Sequence, residues 1–246
     1  MARVHRLSRR QLLLELGGGG VAVLVLGACT TPSVPQPLQT APNTGTSPNS
    51  PGQLAWNRVD LGSVSAYVLV RGNQAAVVDT GVAGSADAIG RALQAAGSSW
   101  TAVSDVILTH HHGDHAGSLG EVATRAAGAT VHAGQADIAN LTSPRTVVAV
   151  ADGADVFGLQ IVATPGHTAG HVCVFDRTTS VLVAGDALGN TAGLTGSNPR
   201  FTADAGAARE SVKKLAALGA GVILFGHGEP LTAGAAEALR TYAATL

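Results

Sequence analysis

His110-His111-His112-Gly113-Asp114-His115 is the stretch on which the reading of this chain turns. It follows Asp105-Val106-Ile107-Leu108-Thr109, an apolar run that reads as a strand, so its ligand-type side chains lie on the loop at a strand end. His110 and His112 are two residues apart, and an extended backbone points both to the same side, within reach of one cation. Asp114 and His115 come next, at the entry to a helix, where the chain turns and presents a second pair to a neighbouring cation. His111 faces away by the same alternation and is left out, together with His5 and His132, as an ordinary surface or core imidazole. With nine histidines in 246 residues, the order H-x-H-x-D-H arises by chance in about one of two thousand shuffled sequences.

Three further glycine-containing turns stand just after apolar strands: Thr164-Pro165-Gly166-His167-Thr168-Ala169-Gly170-His171, Ala184-Gly185-Asp186-Ala187-Leu188 and Phe225-Gly226-His227-Gly228. Side chains on loops at strand ends of an α/β fold converge on one rim. Periodicity predicts strands near 64–70, 74–79, 105–109, 130–133, 147–150, 153–157, 159–164, 171–176, 180–184 and 222–225. Helices are predicted near 85–96, 117–126, 135–140, 205–217 and 233–244. Strands and helices interleave without a repeat of 20 to 50 residues, which gives a layered α/β fold.

These motifs, in this order and with Val77-Val78-Asp79-Thr80-Gly81 ahead of them, resemble those of the metallo-β-lactamase superfamily, in particular its glyoxalase II-like branch. The resemblance implies a single-domain, four-layer αββα sandwich. It implies two divalent metals, the first on His110, His112 and His167, the second on Asp114, His115 and His227, with Asp186 bridging. Asp79 then orients the histidine loop without binding metal, and His171 supports the ligands from behind. Zinc suits nitrogen and carboxylate ligands without thiolate, and manganese or iron also fit the same ligand types.

The activity implied is hydrolysis of a carbonyl-type bond in a small-molecule substrate: a thioester, a lactone or another ester. A metal-bridging hydroxide attacks, and Asp114 orients it and accepts its proton. Hydrolysis of β-lactams is the runner-up, disfavoured because Asp186 stands where subclasses of true β-lactamases carry cysteine or serine. A single-iron oxidoreductase resembling the persulfide dioxygenases, and a non-enzymatic metal-binding lipoprotein, are the readings from other classes. The substrate-facing loops are expected at 189–202 and 140–146, small and polar, with no readable specificity.

Composition agrees with a compact, weakly charged globular body. Hydrophobic residues are 46% and charged residues 13%, which excludes a solvated, disordered chain. Net charge is −1 overall, and from Cys29 onward 11 basic residues face 15 acidic ones. With aromatics at 3% there is neither a basic stripe nor a stacking platform, so nucleic acid is not an expected partner.

The amino terminus reads as an address. Ser8-Arg9-Arg10 precedes an apolar run from Leu12 to Ala28 that contains Glu15 and Gly17 to Gly20, too short and too interrupted for the ~20 apolar residues of a membrane span. Residues 1–28 are therefore expected to be a twin-arginine export signal. Leu26-Gly27-Ala28-Cys29 resembles a lipobox, which implies lipidation of Cys29 and anchoring to the outer face of a bacterial cytoplasmic membrane by lipid alone. Residues 29–52, with six of the ten prolines, read as a tether, and 53–246 as the catalytic domain. Cys173, in His171-Val172-Cys173-Val174-Phe175, is then without a partner and reads as a small buried strand residue. The sequence sets no oligomeric state.

Overall fold

From Ser65 to Val78 nearly every residue away from the turn is buried, and alternate residues face different neighbours. Ala66, Val68, Ala75 and Val77 pack in one apolar cluster, Tyr67, Leu69, Ala76 and Val78 in another. A strand whose two faces are both apolar must be covered on both sides. The computed structural model describes residues 52–246 together with the backbone of the strand Thr44–Gly45. The export signal expected at 1–28, Cys29 and most of the tether lie outside the described residues.

The first sheet holds seven strands in sequential order: β1 (Thr44–Gly45), β2 (Ala55–Asp60), β3 (Ser65–Arg71), β4 (Gln74–Val78), β5 (Val103–Ile107), β6 (Thr130–Gly134) and β7 (Val147–Val150). Pairing is antiparallel through β4 and parallel from β4 to β7. The second sheet holds β8 (Asp155–Val156), β9 (Leu159–Ala163), β10 (Val172–Asp176) and β11 (Val181–Gly185). A ribbon of β12 (Leu188–Gly189) and β13 (Thr195–Gly196) follows, after which β14 (Val222–Phe225) pairs parallel with β11.

Helices α1 (Ala86–Ala95), α2 (Gly113–Ala116) and α3 (Leu119–Arg125) follow strands of the first sheet; α4 (Ala205–Ala216) and α5 (Ala235–Ala243) belong to the second. Ile89 and Leu93 of α1 and Val122 of α3 pack on the Val68 face of the first sheet. Val174, Val183 and Leu224 meet Tyr67 and Ile107 between the sheets. Cys173, Leu182 and Phe225 turn outward onto Val212 and Leu215 of α4 and Leu239 of α5. The result is one domain of four layers, helix, sheet, sheet, helix. Each fully buried aliphatic side chain contributes about 1.5 to 3 kcal/mol relative to exposure, which makes the two-faced strands the anchor of the fold.

Local differences from the sequence reading have local causes. The helix expected at 117–126 is α3 alone, Leu119–Arg125, separated by Gly117 and Ser118 from the short α2 that precedes it. There the chain bonds sideways: Gly117 N donates to Gly81 O at 2.8 Å and Ser118 Oγ to Val82 O at 2.6 Å. The stretch 135–140 is a 3-10 helix, and β2 was not anticipated. Asp204 caps α4 by accepting from Gly206 N and Ala207 N. Cys173 is buried and free, its thiol hydrogen-bonded to Ala184 O and pushed up to about 12 by burial. Among the described residues no helix is long and apolar enough to cross a membrane.

Candidate metal centre

The seven candidate ligands all sit just beyond carboxyl ends of strands, on one edge of the sandwich. His110, His112, Asp114 and His115 follow β5, His167 follows β9, Asp186 follows β11 and His227 follows β14. Three groups emerge in which one donor atom per residue lies within 4.8 Å of the others: His110, His112 and His167; Asp114, His115 and His227; and His110, His115 and Asp186. His111 belongs to none of them, and neither does His132, which bonds Asp105 at 2.8 Å on the strand edge.

Asp186 stands between the two outer groups. Its Oδ1 is 3.2 Å from His115 Nε2, and its Oδ2 is 3.4 Å from His167 Nε2 and 3.3 Å from His227 Nε2. His112 Nδ1 and His167 Nε2 are 2.9 Å apart, and His115 Nε2 and His227 Nε2 are 3.4 Å apart. Gly226 permits this crowding, since a Cβ there would meet Asp186 Oδ1 at 2.3 Å and His115 Cε1 at 2.6 Å.

Most of the outward ring atoms are fixed from behind. Asp79 follows β4 in left-handed backbone, φ 61°, a conformation that aspartate tolerates better than most residues. Its carboxylate accepts from Thr109 N at 2.7 Å, Thr109 Oγ1 at 2.8 Å and His115 Nδ1 at 2.8 Å. His110 Nδ1 meets Thr109 Oγ1, His167 Nδ1 meets Ser197 Oγ, and His227 Nδ1 donates to Ser63 O. His171 lies behind the cluster: its Nε2 accepts from Asp186 N at 3.1 Å while Nδ1 meets Thr164 Oγ1 at 2.8 Å. Each arrangement selects which nitrogen faces forward.

Charge is divided across the centre. Burial, then the neighbouring imidazoles of His115 and His171, hold His110 well below its ordinary value, and burial takes His167 to about 4 and His171 to about 3. His227 is raised to about 10 by Asp114 and then Asp186; for His115 burial works downward, but Asp79 and Asp186 outweigh it and bring it to about 10. Burial by itself raises the Asp186 carboxyl, yet the imidazoles of His115 and His227 against it hold it far below the carboxylate range. His227 also keeps Asp114 low.

Two buried atoms have no hydrogen-bond partner here, His110 Nε2 and Asp186 Oδ1. A buried imidazole nitrogen with no hydrogen-bond partner, and a carboxylate oxygen with only the His115 ring at 3.2 Å and no aligned hydrogen bond, both within a cluster of five histidines and two aspartates, suit a Lewis acid, because leaving such atoms unsatisfied is costly. The residues fit divalent cations with a taste for nitrogen and oxygen ligands.

The cluster opens into a pocket of about 1020 Å³. His112, Asp114, His167, Asp186 and His227 form its floor, and Leu188, Pro199, Phe201 and Tyr242 supply apolar wall. Segment 189–201 lines it as expected, whereas no residue of 140–146 does, because that stretch leads to β7 at the far edge of the first sheet. Arg58 is the lysine or arginine among the lining residues. Its side chain is only 8% exposed and pairs at 2.6 Å with Glu229, two residues after His227.

Residues 59–227 match the family model described as the metallo-beta-lactamase superfamily. The chain belongs to the metallo-beta-lactamase superfamily. Among solved members of the superfamily, a metallo-beta-lactamase family protein from Thermus thermophilus aligns with TM-score 0.62 and 25% identity, covering 80% of this chain and 78% of that one. TTHA1623, solved in a di-iron-bound form, aligns with TM-score 0.62 and 24% identity over 74% of this chain and 95% of that one. A hydroxyacylglutathione hydrolase of Pseudomonas putida is 40% identical over 119 residues, 46% of this chain and 42% of that protein. One from Ectopseudomonas mendocina is 39% identical over 93 residues, 36% of this chain and 34% of that protein. The chain thus spans less than half the length of these two relatives.

Arg58, Ser63 and Tyr242 escaped the sequence reading, as did Asp137; Ser197 and Phe201 fall inside the expected loop 189–202 but were not singled out. The alternation around Trp56 and Val59 was the available sign of β2, and with it of Arg58. For Ser63, whose carbonyl meets a histidine 164 residues away, the sequence offers no sign.

Proposed function

We propose that this chain is a binuclear metal-dependent hydrolase acting on a carbonyl-type bond, a thioester, lactone or other ester, of a small-molecule substrate. The observation that carries the proposal is the position of Asp186 between two ligand trios, with buried Asp186 Oδ1 and His110 Nε2 left without partners. His110, His112 and His167 would hold the first cation and Asp114, His115 and His227 the second, with Asp186 shared; zinc is the first choice. Bound there, the cations would supply a water deprotonated near neutral pH and Lewis-acid polarisation of the substrate carbonyl.

The chain's own residues then have distinct tasks. Asp114 is half-exposed and lines the pocket floor, so its carboxylate can accept a hydrogen bond, and then a proton, from a water above the cluster. Asp79 and His171 hold His115 and Asp186 in place. Phe201, 55% exposed, and Leu188 offer an apolar surface for an acyl or ring moiety, while Asn190 and Ser197 offer polar contacts. The partial match to hydroxyacylglutathione hydrolases supports thioester and ester substrates over β-lactams.

We also propose that residues 1–28 export the protein, that Cys29 is lipidated and that residues 29–52 tether the domain to the membrane. A Cys29→Ala chain released from the membrane fraction would support this, and unchanged fractionation would refute it.

The catalytic proposal is tested by metal analysis of purified protein together with a panel of thioester, lactone, β-lactam and phosphodiester substrates. Two zinc or other divalent ions per chain with thioester or lactone turnover is the expected result. One iron per chain, or turnover confined to β-lactams or phosphodiesters, overturns it.

A further inference from the structure

Asp137 lies in the 3-10 turn Gln135–Asn140, outside every candidate ligand group, and is 1% exposed. A carboxylate so deep is costly unless its lone pairs are filled. Oδ2 accepts from Thr168 Oγ1 at 2.7 Å and from His111 N at 3.1 Å, and Oδ1 accepts from Gly170 N at 2.8 Å. The His111 ring is beside it too, Nδ1 at 3.1 Å from Oδ2.

All of these partners belong to two loops. His111 is flanked by His110 and His112; Thr168 follows His167, and Gly170 precedes His171. The first loop leaves the first sheet and the second loop joins strands of the second sheet, so no ladder of backbone hydrogen bonds sets the distance between their tips. Their roots are joined by Val172 N donating to Thr109 O at 2.8 Å. Asp137 joins them again further out, beside the histidines.

The backbone is shaped for this contact. A Cβ on Gly134 would meet Gly170 O at 1.9 Å, and a Cβ on Gly170 would meet Asp137 Oδ1 at 2.6 Å. Either addition forces the turn and the loop apart, so both positions need glycine for close approach rather than for an unusual dihedral angle.

We infer that Asp137 is a positioning residue that fastens the His110-to-His112 loop to the His167 loop and thereby presets the first metal trio. This rests on the proposed assignment of that trio. Pre-set ligands lose less freedom when a cation binds, and groups behind metal ligands are typically worth about 10- to 100-fold in metal affinity.

The decisive variant is Asp137→Asn. An amide keeps the shape but turns one acceptor into a donor, which then faces either Gly170 N–H or the His111 N–H and Thr168 hydroxyl. Zinc affinity is measured by equilibrium dialysis of the chelated full chain in two backgrounds. In His227→Ala, with the second trio broken, adding Asp137→Asn is expected to weaken zinc binding roughly 10- to 100-fold. In His167→Ala, with the first trio broken, the same change is expected to leave the remaining site within twofold.

Unchanged affinity in the first background, or equal loss in both, overturns the inference, the second result marking general loosening. A wild-type chain that binds no zinc overturns the metal assignment and the inference with it, an outcome distinct from a failure confined to the variants. Thr168→Val removes one donor and keeps the carboxylate, which serves where Asp137→Asn does not fold. It is expected to lower first-trio affinity in the His227→Ala background alone, and no change there counts against the inference.

Discussion

His115 Nδ1 stands 2.8 Å from Asp79 Oδ2, so the ring donates backward and turns Nε2 toward Asp186 and His227. The same carboxylate takes the backbone N–H and hydroxyl of Thr109, the residue that opens the histidine loop. Asp79 therefore aims a candidate ligand and holds the root of the loop that carries four of the candidates.

Asp79→Asn tests this without disturbing the left-handed backbone, which asparagine also tolerates. An amide in this place presents a donor to Thr109 N–H or to His115. Zinc affinity at the second trio is expected to fall about 10- to 100-fold, read as loss of one zinc per chain at limiting metal. Two tightly held zinc ions in the variant would show that Asp79 is dispensable for aiming.

Asp114→Asn separates chemistry from binding. With metal restored by excess zinc, kcat is expected to fall roughly 10²- to 10⁴-fold, the range of a positioned proton acceptor, while KM changes little. Turnover at the wild-type rate in fully metallated variant protein contradicts the role of Asp114.

The metal-free centre gives stability a definite dependence on pH. His115 and His227 titrate near 10 in the fold against 6.5 ordinarily, so the stability they add is complete below 6.5 and is lost as pH rises toward 10. His167 and His171 are held to about 4 and 3, so below 6.5 the unfolded chain takes up protons first and stability is lost as pH falls through that range. Chelated protein is expected to have its highest Tm near pH 6.5. Zinc-loaded protein, whose ligands are already deprotonated, should keep its Tm between pH 7 and 9 while the chelated form declines. A chelated protein whose Tm climbs over that interval refutes the assignment.

Tyr67 donates its hydroxyl to Phe225 O at 2.7 Å across the buried space between the sheets, just ahead of Gly226 and His227. Tyr67→Phe leaves that carbonyl short of a partner, at a cost of about 1 to 2 kcal/mol, or roughly 3 to 6 °C in Tm for a domain of this size. Thermal unfolding followed by circular dichroism reads it directly, and an unshifted Tm would mean water reaches the carbonyl.

The histidine loop of this candidate centre was legible in the sequence because its parts are local, whereas joining His167, Asp186 and His227 to it rested on the family resemblance. Two histidines spaced by two after an apolar strand declare a shared direction, and glycine turns after other strands declare a rim. The two-faced strands announced themselves as continuous apolar runs. What stayed hidden depends on tertiary approach. Asp137 sits in Gln135-Ala136-Asp137-Ile138 like any acid on a helix surface, and only the closure of Gly134 on Gly170 buries it. Strand β2 mixes buried Trp56, Asn57 and Val59 with Arg58, a charged residue that serves the pocket, so its apolar period is blurred. Phe201 and Tyr242 line one pocket from segments forty residues apart, a meeting that no window of sequence reveals.

The division of the candidate ligands between the sheets has a mechanical result. Four follow β5, and three end strands of the other sheet, with the largely exposed stretch 140–146 lying between the two sets along the chain. A pair of ions gripping all seven would act as a rivet through two halves of one polypeptide. A protease nick within that stretch leaves β7 on the carboxyl-terminal piece, still paired with β6 of the other and packed across the sheets, so the pieces should stay together when a chelator draws the rivet out, but melt at a lower temperature than the nicked chain with its ions in place.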